Sequence, residues 1–177
     1  MTRPNAHIIG LLASLHLLAA APAAAARLSD LSGAFRLVAG QDAALEHAIE
    51  LAVAPMTFVA RPFARNRLRE ITTAYPRIMI DTSTDEIIMV ADPRAPVHTP
   101  LSGAAVRWRR EDGEPFTVSG RWDGTVFEQR FASGSGRRVN RYHLGADGRT
   151  LTIDVAIFGG GLPGTMTYRL VYERAAL

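Results

Sequence analysis

The chain has 177 residues, no cysteine, and 20 basic against 17 acidic side chains, for a formal charge of +3. That length fits one ordinary domain whose core needs no disulfide staples, and the missing cysteine excludes thiol chemistry. Every basic residue outside histidine is an arginine; so small a charge excess gives no global argument for nucleic acid as a partner.

Residues 1–26 read as an export leader. Arg3 gives a positive start, Ile8 to Ala21 is apolar apart from a glycine, Ser14 and His16, and Pro22 leads to Ala24-Ala25-Ala26. A short apolar run before a small-x-small site is the pattern of a cleaved signal peptide, and the run is short for a membrane span. No cysteine follows that would carry a lipid. The expectation is a single domain, residues 27–177, delivered to the periplasm or beyond the cell; the competing reading is an uncleaved anchor.

Ser32 to Val38 alternates as a strand with Phe35 and Leu37 on one face. Nearly all helix-forming sequence then lies between about residues 41 and 74. Ala44, Leu45, Ala48, Ile49, Leu51, Ala52 and Val53 are expected to share a broad helical face, with Asp42 at the N-terminus and Pro55 as the stop. A second helix, Pro62 to Thr73, is expected to bring Phe63, Leu68 and Ile71 together before Pro76 hands over to a strand.

About nine short strands follow. Arg77–Asp81 and Glu86–Ala91 form a hairpin around Thr82 to Asp85. Ala104–Arg110 places Val106 and Trp108 together, and the next strand aligns Phe116, Val118, Gly120 and Trp122. Asp123-Gly124 accepts positive φ cheaply and marks a hairpin into Phe127, Gln129 and Phe131. Arg137–Leu144, Thr150–Phe158 and Thr165–Glu173 complete the run, the last carrying Met166, Tyr168, Leu170 and Tyr172 on one side. Hairpin after hairpin with no long helix between argues for a mostly β fold: an antiparallel up-and-down barrel of about 8–10 strands, with a two-helix insertion between its first and second strands.

That chain order resembles the calycins, lipocalins and fatty-acid-binding proteins, among exported bacterial chains. Gly33-Ala34-Phe35 is similar to the Gly-x-Trp opening of a lipocalin's first strand, and Val171-Tyr172-Glu173-Arg174 is similar to the last strand of fatty-acid-binding proteins. The resemblance implies a ligand-enclosing barrel lidded by the helical pair. In that family an arginine two residues before the C-terminal tyrosine grips a ligand carboxylate with it. Here Leu170 holds that place, and Arg169 falls on the opposite face from Tyr172.

Gly159, Gly161 and Gly164 match a dinucleotide fingerprint in spacing, but Pro163-Gly164 opens a strand where the fingerprint needs a helix. His47 has no second histidine at helical spacing, and His98 and His143, which could meet across a barrel, are by themselves a weak metal signal. No serine sits in a nucleophile elbow, and the carboxylates are scattered. No catalytic residue, metal or cofactor is assigned. A barrel enzyme would need His98 or His143 facing the interior.

Arg61, Arg65 and Arg69 recur every four residues on the second helix, with Phe63 close by. One reading is a cationic lid that touches an anionic membrane surface; the other is a solvated face paired with Glu70 or barrel carboxylates. Arg107, Arg109, Arg110, Arg137, Arg138 and Arg141 are expected to point outward. The barrel interior is expected to be lined by Trp108, Phe116, Trp122, Phe127, Gln129, Phe131, Asn140, Tyr142, Tyr168 and Tyr172. Gln129 and Asn140 then either hydrogen-bond a ligand or satisfy each other and the backbone in a filled core. The expected role is reversible binding of a small apolar or amphipathic molecule; the alternative is a filled barrel that acts through its surface on a protein partner, as an inhibitor or accessory would.

Overall fold

Period-two alternation punctuated by turn residues dictates the architecture in the computed structural model, which describes residues 27–91 and 94–176. The leader reading, residues 1–26, lies outside the described residues. Strand β1 (Gly33–Leu37) reaches Gly40, whose φ of 83° suits a residue without Cβ, and the chain enters helix α1 (Gln41–Val53) and then α2 (Arg61–Ile71). Nine strands follow: β2 (Arg77–Thr82), β3 (Glu86–Val90), β4 (Val97–Pro100), β5 (Val106–Arg109), β6 (Pro115–Trp122), β7 (Val126–Ala132), β8 (Gly136–Leu144), β9 (Thr150–Gly159) and β10 (Met166–Arg174).

All ten form one antiparallel sheet in the order β4-β3-β2-β1-β10-β9-β8-β7-β6-β5. Strand β1 sits between β2 and β10, pairing Phe35 with Ile78 on one side and with Arg174 on the other, so the last strand returns to the first. The two edges, β4 and β5, face one another without a backbone ladder among the described residues, leaving a seam in a nearly closed barrel. The hairpin at Asp123-Gly124 forms as expected: Gly124 has φ 101°, and Asp123 Oδ1 accepts the N–H groups of Thr125 and Val126.

Strand β4 is absent from the alternation reading. It is four residues long with Pro100 as its last member, yet Val97 and Thr99 alternate inward, both buried. Strand β5 is shorter than its expected Ala104–Arg110 span.

The helices bury narrower stripes than expected. In α1 the buried residues are Leu45, Ile49 and Val53, a strict four-residue repeat, while Ala44 is exposed and Leu51 is 62% exposed. Two residues past Ile49 is about 200° around a helix, which puts Leu51 on the far side. In α2 Leu68 is buried and Ile71 half-buried, but Phe63 is 76% exposed for the same reason of phase. No described helix is long and apolar enough to cross a membrane.

The lid arginines pair with their own helical partner. Arg65 Nε donates to Glu50 Oε1 and Arg69 Nη2 to Glu46 Oε2 (2.7 Å), so two i,i+4 pairs on antiparallel helices interlock. The carboxylates expected for this face were Glu70 and barrel residues; only Arg67 uses those, reaching Glu70 and Glu114. Arg61 donates to the carbonyls of Ala54 and Met56 just past the end of α1.

Candidate ligand cavity beneath the helical pair

Inward positions of a small barrel meet at its axis, so their size decides whether it fills. Part of this barrel's interior is filled. Phe127 stacks on Tyr142 with ring centroids 5.5 Å apart, and Phe35, Ile87 and Leu151 have no exposure. Toward the helical end the side chains stop meeting, and a cavity of about 270 Å³ opens under Leu68 and Ile71 of α2. Its floor and sides are apolar: Ile78, Met89, Ile153 and Leu170. One flank is an aromatic cluster in which Trp108 lies 5.9 Å from Phe116 and 5.8 Å from Phe131.

Seven of the ten expected lining residues reach this cavity: Trp108, Phe116, Gln129, Phe131, Asn140, Tyr142 and Tyr172. Three do not form its wall. Phe127 is spent in the stack with Tyr142, Trp122 is half-buried against the core, and Tyr168 is buried beside Arg138.

The two buried amides are joined through a tyrosine. Arg138 Nε donates to Asn140 Oδ1 (2.8 Å), Asn140 Nδ2 to Tyr142 Oη (3.0 Å), Tyr142 O–H to Gln129 Oε1 (2.9 Å), and Gln129 Nε2 to Thr99 Oγ1 (2.7 Å). Every donor points the same way along the chain, so each bond polarises the next. Burial pushes the Tyr142 hydroxyl up to about 12, which keeps it a neutral donor. Tyr168 and Tyr172 are also raised by burial, and Tyr172 O–H donates to the Tyr75 carbonyl.

Arg138 corrects the expectation that it points outward. It has the same parity on β8 as Asn140 and Tyr142, and its guanidinium enters the barrel to donate to the Ile71 carbonyl, 6.0 Å from the Tyr168 ring centroid. Arg110 also turns in at the rim, over the Phe116 ring at 5.2 Å and paired with Asp112 and Glu114. Arg137 contributes to the rim while remaining exposed. Arg107, Arg109 and Arg141 are exposed as expected, Arg141 bonding Glu128 on the outer wall. Arg94, from the β3–β4 connection, is a wall residue that no periodicity could have found.

His98 and His143 do not face the cavity. His98 Nδ1 is 3.3 Å from Glu86 and His143 Nε2 is 3.4 Å from Asp154, which Arg169 also holds from the outer face. His47 is exposed on α1. Among the described residues no group of three or more metal-ligating side chains converges. Gly159, Gly160 and Gly161 all take positive φ in the loop that leads to β10, a strand and not a helix, so no phosphate-binding helix start exists there.

No protein-family model matches the chain, and no curated protein matches it. Solved structures do. The fatty-acid-binding protein 1 of Echinococcus granulosus superposes with a TM-score of 0.54 at 11% identity, covering 84% of this chain and 100% of its own. The apo lipid binding protein 8 of Caenorhabditis elegans gives 0.55 at 10% identity, covering 84% and 98%. A secreted abundant heat soluble protein of Ramazzottius varieornatus gives 0.57 at 11%, covering 83% and 96%. Such low identities speak for the fold: this is a calycin-like barrel.

Proposed function

We propose that the chain is an exported carrier that reversibly holds one small apolar or amphipathic molecule beneath its helical pair. The observation that carries this reading is the cavity of about 270 Å³ in a barrel whose remaining inward side chains are buried among one another. A filled barrel would have continued the Phe127–Tyr142 packing upward, and this one leaves an apolar floor uncovered. The volume lies just under the range of about 300–1,000 Å³ of ligand pockets, which fits a short single chain better than a two-tailed lipid. The fatty-acid-binding and lipid-binding names among the structural neighbours agree with this reading. Export rests on the leader pattern of residues 1–26.

The lid supplies a route for exchange. Leu51, Phe58, Val59 and Phe63 expose apolar side chains around the α1–α2 turn. A transient contact of this tip with a membrane surface would let an apolar ligand pass without crossing water. Charge contributes less than the arginine count suggests, because Glu46 and Glu50 offset Arg69 and Arg65. The same exposed tip favours a second reading, in which it docks a protein partner.

Native mass spectrometry of the mature protein, purified gently from its own exported fraction, tests the carrier. A bound species released by mild activation supports it. A bare chain that also takes up no lipid on incubation sinks it.

A further inference from the structure

The Asn140, Tyr142, Gln129 and Thr99 side chains satisfy one another, whereas some other buried polar atoms of the barrel do not. Among the described residues, three buried side-chain polar atoms lack a hydrogen-bond partner: Arg94 Nε, Trp108 Nε1 and Tyr168 Oη. Two of them, on Arg94 and Trp108, belong to cavity-wall residues. The third belongs to Tyr168, which is outside the cavity wall and whose ring lies 6.0 Å from the Arg138 guanidinium. Unmet buried donors are costly, and two of them in the wall of one cavity ask for an acceptor that the protein does not supply.

Glu111 comes within 3.5 Å of Arg94 Nε but makes no hydrogen bond with it. The Trp108 indole N–H is donor-only and has no partner, and its ring packs tilted on Phe116 and edge-on to Phe131. Arg67 and Arg110 on this wall are paired with Asp112 and Glu114 and Arg94 lies near Glu111, whereas Arg137 and Arg138 have no carboxylate partner among the described residues. Glu114 is already engaged by Ser135, Arg67 and Arg110.

We propose that the helical end of the cavity is an oxyanion subsite, in which Trp108 Nε1–H and the Arg94 guanidinium take the charged oxygen of a single-chain amphiphile. Its tail lies among Ile78, Met89, Ile153 and Leu170. The proposal rests on the carrier reading and adds the ligand's chemistry and direction: anionic head toward the lid, apolar tail toward the packed part. A carboxylate and a phosphate monoester share that chemistry.

The test follows the two indole N–H resonances of the mature protein, one each from Trp108 and Trp122. Decanoate, decyl phosphate and decanol are titrated in turn. The Trp108 proton should move downfield with the two anions and not with the alcohol, while Trp122, outside the cavity wall, stays in place. Decanol should bind about tenfold more weakly, the loss expected for one charge-assisted hydrogen bond. Trp108→Phe should reduce the affinity for the anions by a similar factor and leave that for decanol unchanged. Whichever anion binds more tightly identifies the head. If decanol binds as well as decanoate with the indole unmoved, the subsite is wrong and the carrier reading stands. If none of the three binds, both fall.

Discussion

Gln129 Nε2 on β7 donates to Thr99 Oγ1 on β4 over 2.7 Å, with both residues fully buried. These strands are not sheet neighbours. The bond reaches from β7 toward the β4 edge of the open seam, where no backbone ladder runs. At the same place Gly120 on β6 lies so close that a Cβ there would collide with the Thr99 methyl group and the Phe127 ring. The seam is therefore held by side chains and a missing Cβ.

Thr99→Val keeps the shape and removes the acceptor. The Gln129 amide is then buried with an unmet donor, and stability should fall by about 1–3 kcal/mol in urea unfolding. Gln129→Met also takes the acceptor from the Tyr142 O–H and so costs stability by itself, and the double variant should lose less than the sum of the two single losses. An additive double variant would show that the bond does not couple the two strands. Gly120→Ala should cost about 1–3 kcal/mol through overpacking.

The four tyrosines of the chain, Tyr75, Tyr142, Tyr168 and Tyr172, are all raised by burial, Tyr142 to about 12. A phenol whose folded value exceeds its unfolded value holds its proton more tightly in the native state. Its stabilising contribution is complete below about pH 10 and is lost as pH rises through the folded value. Tyrosinate absorbance should appear together with loss of the fold above pH 10, in one cooperative step. Ionisation of Tyr142, Tyr168 or Tyr172 at the ordinary value in the intact protein would contradict their buried placement.

Asp147 gives the opposite sign. Its carboxylate accepts the backbone N–H groups of Thr150 and Arg149 and the Thr150 hydroxyl, which lowers it from 3.8 to about 2. The turn between β8 and β9 therefore adds stability above the unfolded value that is lost as pH falls toward the folded one. Asp147→Asn should melt lower than wild type at neutral pH, and the gap should narrow between about pH 4 and pH 2. A gap independent of pH would remove the carboxylate from the account.

The interlocked Arg65–Glu50 and Arg69–Glu46 pairs are exposed, so their effect should be on the lid and not on global stability. Glu46→Gln with Glu50→Gln should speed hydrogen exchange of α2 amides and leave the urea midpoint nearly unchanged. High salt should mimic the double substitution. Equal exchange in both proteins would show that apolar packing at Leu68 alone holds α2 down.

Much of the architecture was legible because its signals are local. The switch from period two to helical phase near Gln41, the Pro55 and Pro76 stops, and the Asp-Gly turns each act within a few residues. Strand β4 escaped because four residues ending in a proline carry almost no alternation, and its partners lie in other elements. Arg138 faces inward because its strand parity with Asn140 and Tyr142 outranks its charge. Leu51 and Phe63 are apolar yet exposed because each helix buries a stripe narrower than its apolar pattern. Thr99 as the end of the Gln129 network and Arg94 as a wall residue are tertiary facts, set by where loops land. No pattern along the chain encodes them.

The central claim is that the unfilled part of the barrel is a binding site. A displacement titration of the mature protein with an environment-sensitive fluorescent lipid addresses it, run beside Leu170→Trp, which grows a wall residue into the cavity. Saturable one-to-one binding to the wild type, lost in a folded Leu170→Trp protein, is the predicted result. No saturable binding, or equal binding to both proteins, would contradict the claim.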